Sequence, residues 1–328
     1  MKQLVNPILA IDVGNTATRF GLFTADDLEV SEPYGTWEVT TPGHLTTDEA
    51  RMFIADGFCG ASGATVSPAS VVHAPERLSA GCIISCVVPT LTDSIQQAAG
   101  QLFSQRPRTV GPGLKTGLKM RYDDPAEVGP DRIADAVAAR DTYGAPSVVV
   151  DLGTTTNIEV IDDKGAFAGG LIAPGLALGA RSLSAAAARL PQLDLRAPTH
   201  VIGRSTREAM RAGVVLGEAA RIDGLLTMVE AELGVLPAST TPAVSDGLAA
   251  STGARTGSRN CACRPRSDAD RRSDAPCMSN TSALPIVITG EHASSMATLL
   301  KHSVRVDDTL TLRGLALLWR NNCATPRA

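Results

Sequence analysis

Short runs of apolar residues punctuate this chain, and each stops at a glycine or a polar residue. Five of them read as strands: 8–14 (ILAIDVG), 81–88 (GCIISCVV), 147–153 (SVVVDLG), 284–290 (LPIVITG) and, more weakly, 303–306 (SVRV). Near-continuous apolarity predicts strands covered on both faces. Alanine-rich stretches with helical spacing lie between them. Residues 131–143 place Ile133, Ala134, Val137 and Ala138 on one face. Residues 205–234 form a long helical stretch whose opening Ser205 and Glu208 fit a capping box, and 310–322 read as a closing helix. Strands alternating with helices predict a layered α/β fold.

The pattern repeats. Residues 8–16 read ILAIDVGNT and residues 147–155 read SVVVDLGTT. Each copy is an apolar strand, then Asp-x-Gly, then small polar residues, then a second strand-like run (TRFGLF; TNIEVID). Matching context on both sides favours duplication over coincidence. Two domains that each open with strand–turn–strand imply a cleft between them, with both turns facing it.

The turns carry candidate chemistry. Gly14 lets a ligand approach the backbone. Asn15, Thr16 and Thr18, with neighbouring backbone N–H groups, can donate to phosphate oxygens. A carboxylate beside phosphates repels them unless a cation intervenes, so Asp12 predicts Mg²⁺, bound directly or through water. A plain hairpin turn is the alternative for one copy alone; two facing copies favour the ligand. In the second copy Asp151, Thr154, Thr155 and Thr156 follow the same logic. A third acid, Asp131, follows Gly129-Pro130 at a helix start. There it is either a helix cap or a general base for a substrate hydroxyl, with Arg132 available to an anionic group or a neighbouring acid.

Composition narrows the partners. A net charge of -4 and 3% aromatic residues give no footprint for nucleic acid. No apolar run approaches the ~20 residues that span a bilayer, and the first residues lack a signal-peptide pattern. The scattered cysteines, with Cys82 and Cys86 in an apolar run, point to a reducing cytoplasm. Residues 238–283 are poor in large apolar side chains and read as a disordered surface insertion. Its Cys261, Cys263 and Cys277 have poor spacing for zinc, and its arginines read as a solvated loop. No other nucleotide or hydrolase signature is present.

Taken in order, IDVGNTATRFGLF, YDDPAEVGPDRIADAVAA, VVVDLGTTTNIEVID, GGLIAPG and IGRSTREAMRAGVV resemble type III pantothenate kinases. The resemblance spans nearly the whole chain outside 238–283. It implies duplicated actin-like (ribonuclease H-like) domains, with mixed sheets flanked by helices and a cleft between them. The expected division is residues 1–122 and 123–328. The implied activity is ATP-dependent phosphorylation of the pantothenate 4′-hydroxyl, the first step of coenzyme A synthesis. A cytoplasmic homodimer using Mg²⁺ and K⁺ or NH₄⁺ is implied with it. Carried onto this sequence, the ATP loop is Asp12, Val13, Gly14, Asn15, Thr16, Ala17, Thr18 and Arg19, with Thr154 as a second contact. Asp131 is the implied base. Tyr122, Gly129, Pro130, Asp131 and Arg132 are the implied pantothenate contacts, with Thr206 reaching the substrate through the dimer. Asp151 is the implied monovalent-cation ligand.

The chain departs from the family pattern at Thr155, Asn157 and Glu159 in the second motif, at Pro130, and at Glu291 where a glycine is usual. The alternatives are a non-catalytic regulatory relative and a kinase for another small hydroxyl compound. The stretch YDDPAEVGPDR separates them, being the part that resembles a pantothenate site.

Overall fold

The computed structural model describes residues 7–24, 32–63, 67–186, 191, 193–235 and 284–323. The expected insertion 238–283, with its three cysteines, lies outside them. Five strands form the first sheet. β1 (Pro7–Val13) runs antiparallel to β2 (Ala17–Thr24), and β2 antiparallel to β3 (Gly35–Thr40). On its other side β1 runs parallel to β4 (Gly81–Cys86), which pairs in parallel with β5 (Arg108–Thr109). The second sheet repeats this plan with β6 (Ser147–Leu152), β7 (Thr155–Ile161), β8 (Phe167–Pro174), β9 (Ile286–Gly290) and β10 (Arg305–Val306). The orders β3-β2-β1-β4-β5 and β8-β7-β6-β9-β10 match strand for strand, including the parallel and antiparallel pairings. The duplication read from the two Asp-x-Gly motifs is therefore a duplication of topology, that of the actin-like fold.

The sequence reading found the central strands and missed the two-residue β5 and two longer strands, β3 and β8. Both are outer strands with much exposed surface, so neither shows a continuous apolar run. Gly169, Gly170 and Pro174 make β8 look like a loop.

Strand parity divides the core into three. Leu9, Ile11 and Val13 point to the outer face of the first sheet. There they pack with Ile54 of α1 (Thr47–Ser62) and with Leu91 and Ile95 of α3 (Pro89–Leu102), beside the short α2 (Pro68–Val72). Val148 and Val150 point to the outer face of the second sheet, toward Ile222 and Leu226. The intervening residues, Ile8, Ala10, Val149 and Val287, face inward to a middle layer. Two helices fill that layer: α4 (Pro130–Tyr143) and the last helix, α9 (Leu310–Cys323).

These two helices are exchanged. α4 follows the first sheet in sequence but packs on β6 and β7. α9 follows the second sheet but packs on β1, β2 and β4, while α4 and α9 pack closely on each other. Of the remaining helices, α5 (Leu176–Ala186) follows β8 and α8 (Ala293–Ala297) follows β9. The long stretch 205–234 is α6 (Thr206–Arg211) and α7 (Gly217–Glu232), joined by a π-helical turn at Ala212–Leu216. Half of its expected capping box forms: Ser205 Oγ accepts from Glu208 N at 3.2 Å, while the Glu208 carboxylate accepts from Arg204 N.

The α4–α9 crossing leaves no room for a side chain at Gly314. A Cβ there would lie 2.0 Å from the Ala134 carbonyl oxygen, and neither backbone can yield separately. Gly314→Ala should cost roughly 3 kcal/mol of stability, seen as a lower urea midpoint. An unchanged midpoint would mean the two helices can part freely.

Candidate active site

The same parity that sends Ile8 and Ala10 inward sends Asp12 inward at the end of β1, and that of Val149 sends Asp151 inward at the end of β6. Pairing places Asp12 beside Arg19 and Ser85, and Asp151 beside Asn157 and Thr289. The two acids thus occupy equivalent positions, each next to a hydroxyl residue on the neighbouring parallel strand. The hairpins that follow differ slightly. Val13 pairs with Thr18 but Leu152 pairs with Thr156, one residue tighter. Gly14 N–H closes the first turn onto Ala17 O, and Gly153 N–H closes the second onto Thr155 O. The tips meet: Thr16 Oγ1 and Thr154 Oγ1 are hydrogen-bonded at 3.0 Å.

The cleft between the hairpins is lined by Asp12, Gly14, Asn15, Thr16, Ala17 and Arg19 from the first unit and by Asp151 and Thr154 from the second. Asp131 lines it too. Its helix is capped by Gly129, with Pro130 in the first position, so Asp131 is not the cap. Its Oδ1 accepts from Arg132 N at 2.9 Å, and the half-buried carboxyl remains at the cleft. Of the expected phosphate-loop residues, Val13 and Thr18 turn away: both are fully buried, and Thr18 Oγ1 bonds Thr41 Oγ1. Tyr122, Gly129, Pro130 and Arg132 lie outside the cleft lining. Tyr122 and Arg132 gather on Phe167, Tyr122 at 6.0 Å between ring centroids and Arg132 at 5.7 Å above the ring. Thr206 is exposed on α6 and does not line the cleft.

Sequence reasoning missed other lining groups: Glu38 of β3, Val87 after β4, Arg181 of α5 and Thr311 of α9. It also missed Asp135, one turn beyond Asp131. Asp135 is buried and accepts from Thr311 Oγ1 at 2.6 Å. An acid at that spacing inside an otherwise apolar helix face was the available signal.

Electrostatics here are set first by burial in a low-dielectric layer and then by like charge. Burial, then the charge of Asp131, raises the Asp12 carboxyl to about 6, with the Arg19 charge acting against the rise. Burial, then Asp131, raises Asp151 to about 7, with Asp12 adding and Arg19 opposing. Burial also lifts Asp131 and Asp135 above the usual carboxylate range. Glu159 is pushed up by burial and pulled back by Arg132, whose Nε donates to it at 2.9 Å.

This arrangement fits a cation. Asp12 Oδ1, Ser85 Oγ and Thr289 Oγ1 are buried without hydrogen-bond partners, and the acids around them repel one another. Among the described residues no group of three or more His, Cys, Asp or Glu is arranged to hold a metal by itself. A divalent ion on Asp12 would therefore take its remaining ligands from phosphate and water. Close backbone approach is built in beside Asp151. Gly290 has φ +90, and a Cβ there would fall 2.6 Å from Asp151 Oδ1. Glu291, which follows it, reaches the cleft lining.

A second cavity of about 580 Å³ adjoins the cleft through Arg19 and Glu38. It lies between β2 and β3 on one side and the starts of α8 and α9 on the other, where Ser294, Ser295, Asp308 and Thr309 line it.

Residues 8–228 match the family model of type III pantothenate kinase. Relatives named type III pantothenate kinase include one from Brevibacillus brevis, 37% identical over 230 residues, covering 70% of this chain and 84% of the relative. Another, from Moorella thermoacetica, is 35% identical over 227 residues, covering 69% and 83%. Similar solved structures include an inorganic polyphosphate/ATP-glucomannokinase from Arthrobacter sp. strain KM. It is 12% identical with a TM-score of 0.40, covering 96% of this chain and 97% of that one. MreB 5 of Spiroplasma citri bound to AMPPNP is 10% identical with a TM-score of 0.45, covering 97% of each chain. At these scores neither structure bears on function, and the fold class rests on the strand orders.

The raised acids have a stability consequence. Between the ordinary carboxylate range and about pH 7 the folded chain holds protons at Asp12 and Asp151 that the unfolded chain has released, so stability falls as pH rises through that window. Asp151→Asn removes that cost. Discounted for partial exposure, it should stabilise the fold by on the order of 1–3 kcal/mol at pH 8 and little at pH 4. Melting in buffer free of Mg²⁺, K⁺ and NH₄⁺ reads this directly. Equal melting temperatures for variant and wild type at pH 8 would mean that burial and like charge do not raise the Asp151 carboxyl.

Proposed function

The chain belongs to the type III pantothenate kinase family and phosphorylates pantothenate with ATP in coenzyme A synthesis; on that premise we propose how its residues divide the work. The triphosphate lies between the two hairpins, on Asp12 to Arg19 and on Thr154. Turn backbone N–H groups and the hydroxyls of Thr16 and Thr154 donate to its oxygens, while buried Val13 and Thr18 hold the loop. The Thr16–Thr154 contact marks where the tips must part to admit it. The adjoining cavity bounded by β3, α8 and α9 takes the nucleoside.

Mg²⁺ held near Asp12 supplies charge neutralisation on the phosphates. Asp151 would hold a monovalent cation, K⁺ or NH₄⁺, whose charge would offset the burial and the like charge that raise its carboxyl. Asp131 accepts the proton of the pantothenate hydroxyl. The observation that carries this assignment is its place: an acid at the first turn of α4, at the cleft, facing both hairpin acids. Burial leaves it above the usual carboxylate range, which makes it a stronger base than an exposed aspartate. Tyr122 and the turn Gly129-Pro130-Asp131-Arg132 border the acceptor. The Arg132–Glu159 pair fixes that border, since Glu159 is fully buried and holds the guanidinium against Phe167.

Thr206 serves a partner's site in a homodimer. Its exposure, and the exposed apolar Ile172, Val201 and Ile202 of the same half, support that reading. A cytoplasmic setting is supported by four free thiols among the described residues. Among those residues no helix is long and apolar enough to cross a membrane.

Asp131→Asn should fold and bind ATP as wild type does while kcat falls by about 10²–10⁴. Steady-state kinetics with pantothenate and calorimetric ATP titration test both halves. Wild-type kcat in that variant removes Asp131 as the base.

A further inference from the structure

Arg19 has two acidic cross-strand neighbours and chooses between them. In the β1–β2 register it faces Asp12; in the β2–β3 register it faces Glu38. Its Nε donates to Glu38 Oε2 at 2.7 Å. Among the described residues no ion pair joins it to Asp12, whose Oδ1 stays buried and unpartnered. Glu38 acts on Arg19 more strongly than either hairpin acid, while the charges of Asp12 and Asp151 pull on it from the cleft side. Glu38 and Arg19 are also the residues shared by the hairpin cleft and the cavity beside it. An acid at the mouth of a triphosphate cleft is otherwise unfavourable, and its pairing with Arg19 offsets that charge.

We propose that Glu38 is a positioning residue for the phosphoryl donor. It holds Arg19 off Asp12, leaving that carboxylate free, and presents the terminal guanidinium nitrogens toward the phosphates. The inference rests on the placement of ATP given above. Its physical basis is preorganisation. A long, flexible side chain fixed at Nε loses less freedom when its terminal nitrogens engage a phosphate. Without Glu38, Arg19 would collapse onto the hairpin acids and be spent there. The pair itself adds little to stability, since Glu38 is 58% exposed, so its loss should leave the fold intact.

The test uses the full chain and four variants: Glu38→Ala, Glu38→Gln, Arg19→Ala and the double substitution. Two quantities are read: the KM for ATP against kcat, and the ATP dissociation constant by calorimetry without Mg²⁺. Glu38→Ala should weaken ATP by about tenfold in both, with kcat and the pantothenate KM within about twofold of wild type. Glu38→Gln keeps an acceptor for Nε and should lose less. Arg19→Ala should lose at least as much as Glu38→Ala, and the double variant no more than Arg19→Ala. Unchanged or tighter ATP binding in Glu38→Ala overturns the proposal, as do additive losses in the double variant. So does a change confined to melting temperature. A wild-type chain that fails to phosphorylate pantothenate sinks the ATP assignment itself. Normal wild-type turnover with indifferent Glu38 variants sinks only this inference.

Discussion

Like charges held close in a poorly polarisable layer are the constraint around which this molecule is arranged. Strand alternation sends every second residue of β1 and β6 into the middle layer. That rule buries Ile8, Ala10 and Val149, and it leaves Asp12 and Asp151 at the layer's edge. α4 adds Asp131 and Asp135 to the same edge. The result is a cluster whose carboxyls resist ionisation, chiefly through burial and then through one another. A fold selected only for stability would place neutral residues there. What makes the cluster useful is what it lacks: enough positive charge of its own. Arg132 is committed to Glu159 and Arg19 to Glu38, so on the proposed reading the deficit is left for an arriving cation and the phosphates that travel with it.

The hairpins and glycines convert that deficit into a site of defined shape. Gly14 keeps the first turn tight, and Gly290 brings the end of β9 against Asp151. Thr18, though part of the phosphate-loop motif, anchors the loop to Thr41 rather than facing the cleft. Thr156 does the same on the other side, donating to buried Glu218 at 2.6 Å. A motif of small polar residues thus contains two kinds of hydroxyl. Some face the cleft, and others hold the loop that borders it.

How much of this was legible in the sequence follows from the range of each interaction. The central strands were legible because burial on both faces leaves an unbroken apolar run. The two acids were legible because each ends such a run in matching surroundings. β3 and β8 were not, since outer strands alternate weakly. Asp131 could be placed at a helix start, but Gly129 as the true cap needed coordinates. The partners of Arg19, Asp135 and Arg132 were hidden. Each lies on another strand or helix, and no local pattern records that Glu38, Thr311 and Glu159 are the ones that meet them. The shorter second hairpin was hidden as well, because Asp-x-Gly followed by threonines looks the same in either register.

The exchange of α4 and α9 bears on how the chain can be cut. Division near residue 122 separates two sheets of identical plan, yet both middle-layer helices go with the second, including α9, which shields the first. The first fragment alone would show water an apolar sheet face, and α9 in the second would have lost the sheet it covers. The two halves are therefore one cooperative unit despite their ancestry as repeats, and fragments of this protein regain a native interior only by finding each other.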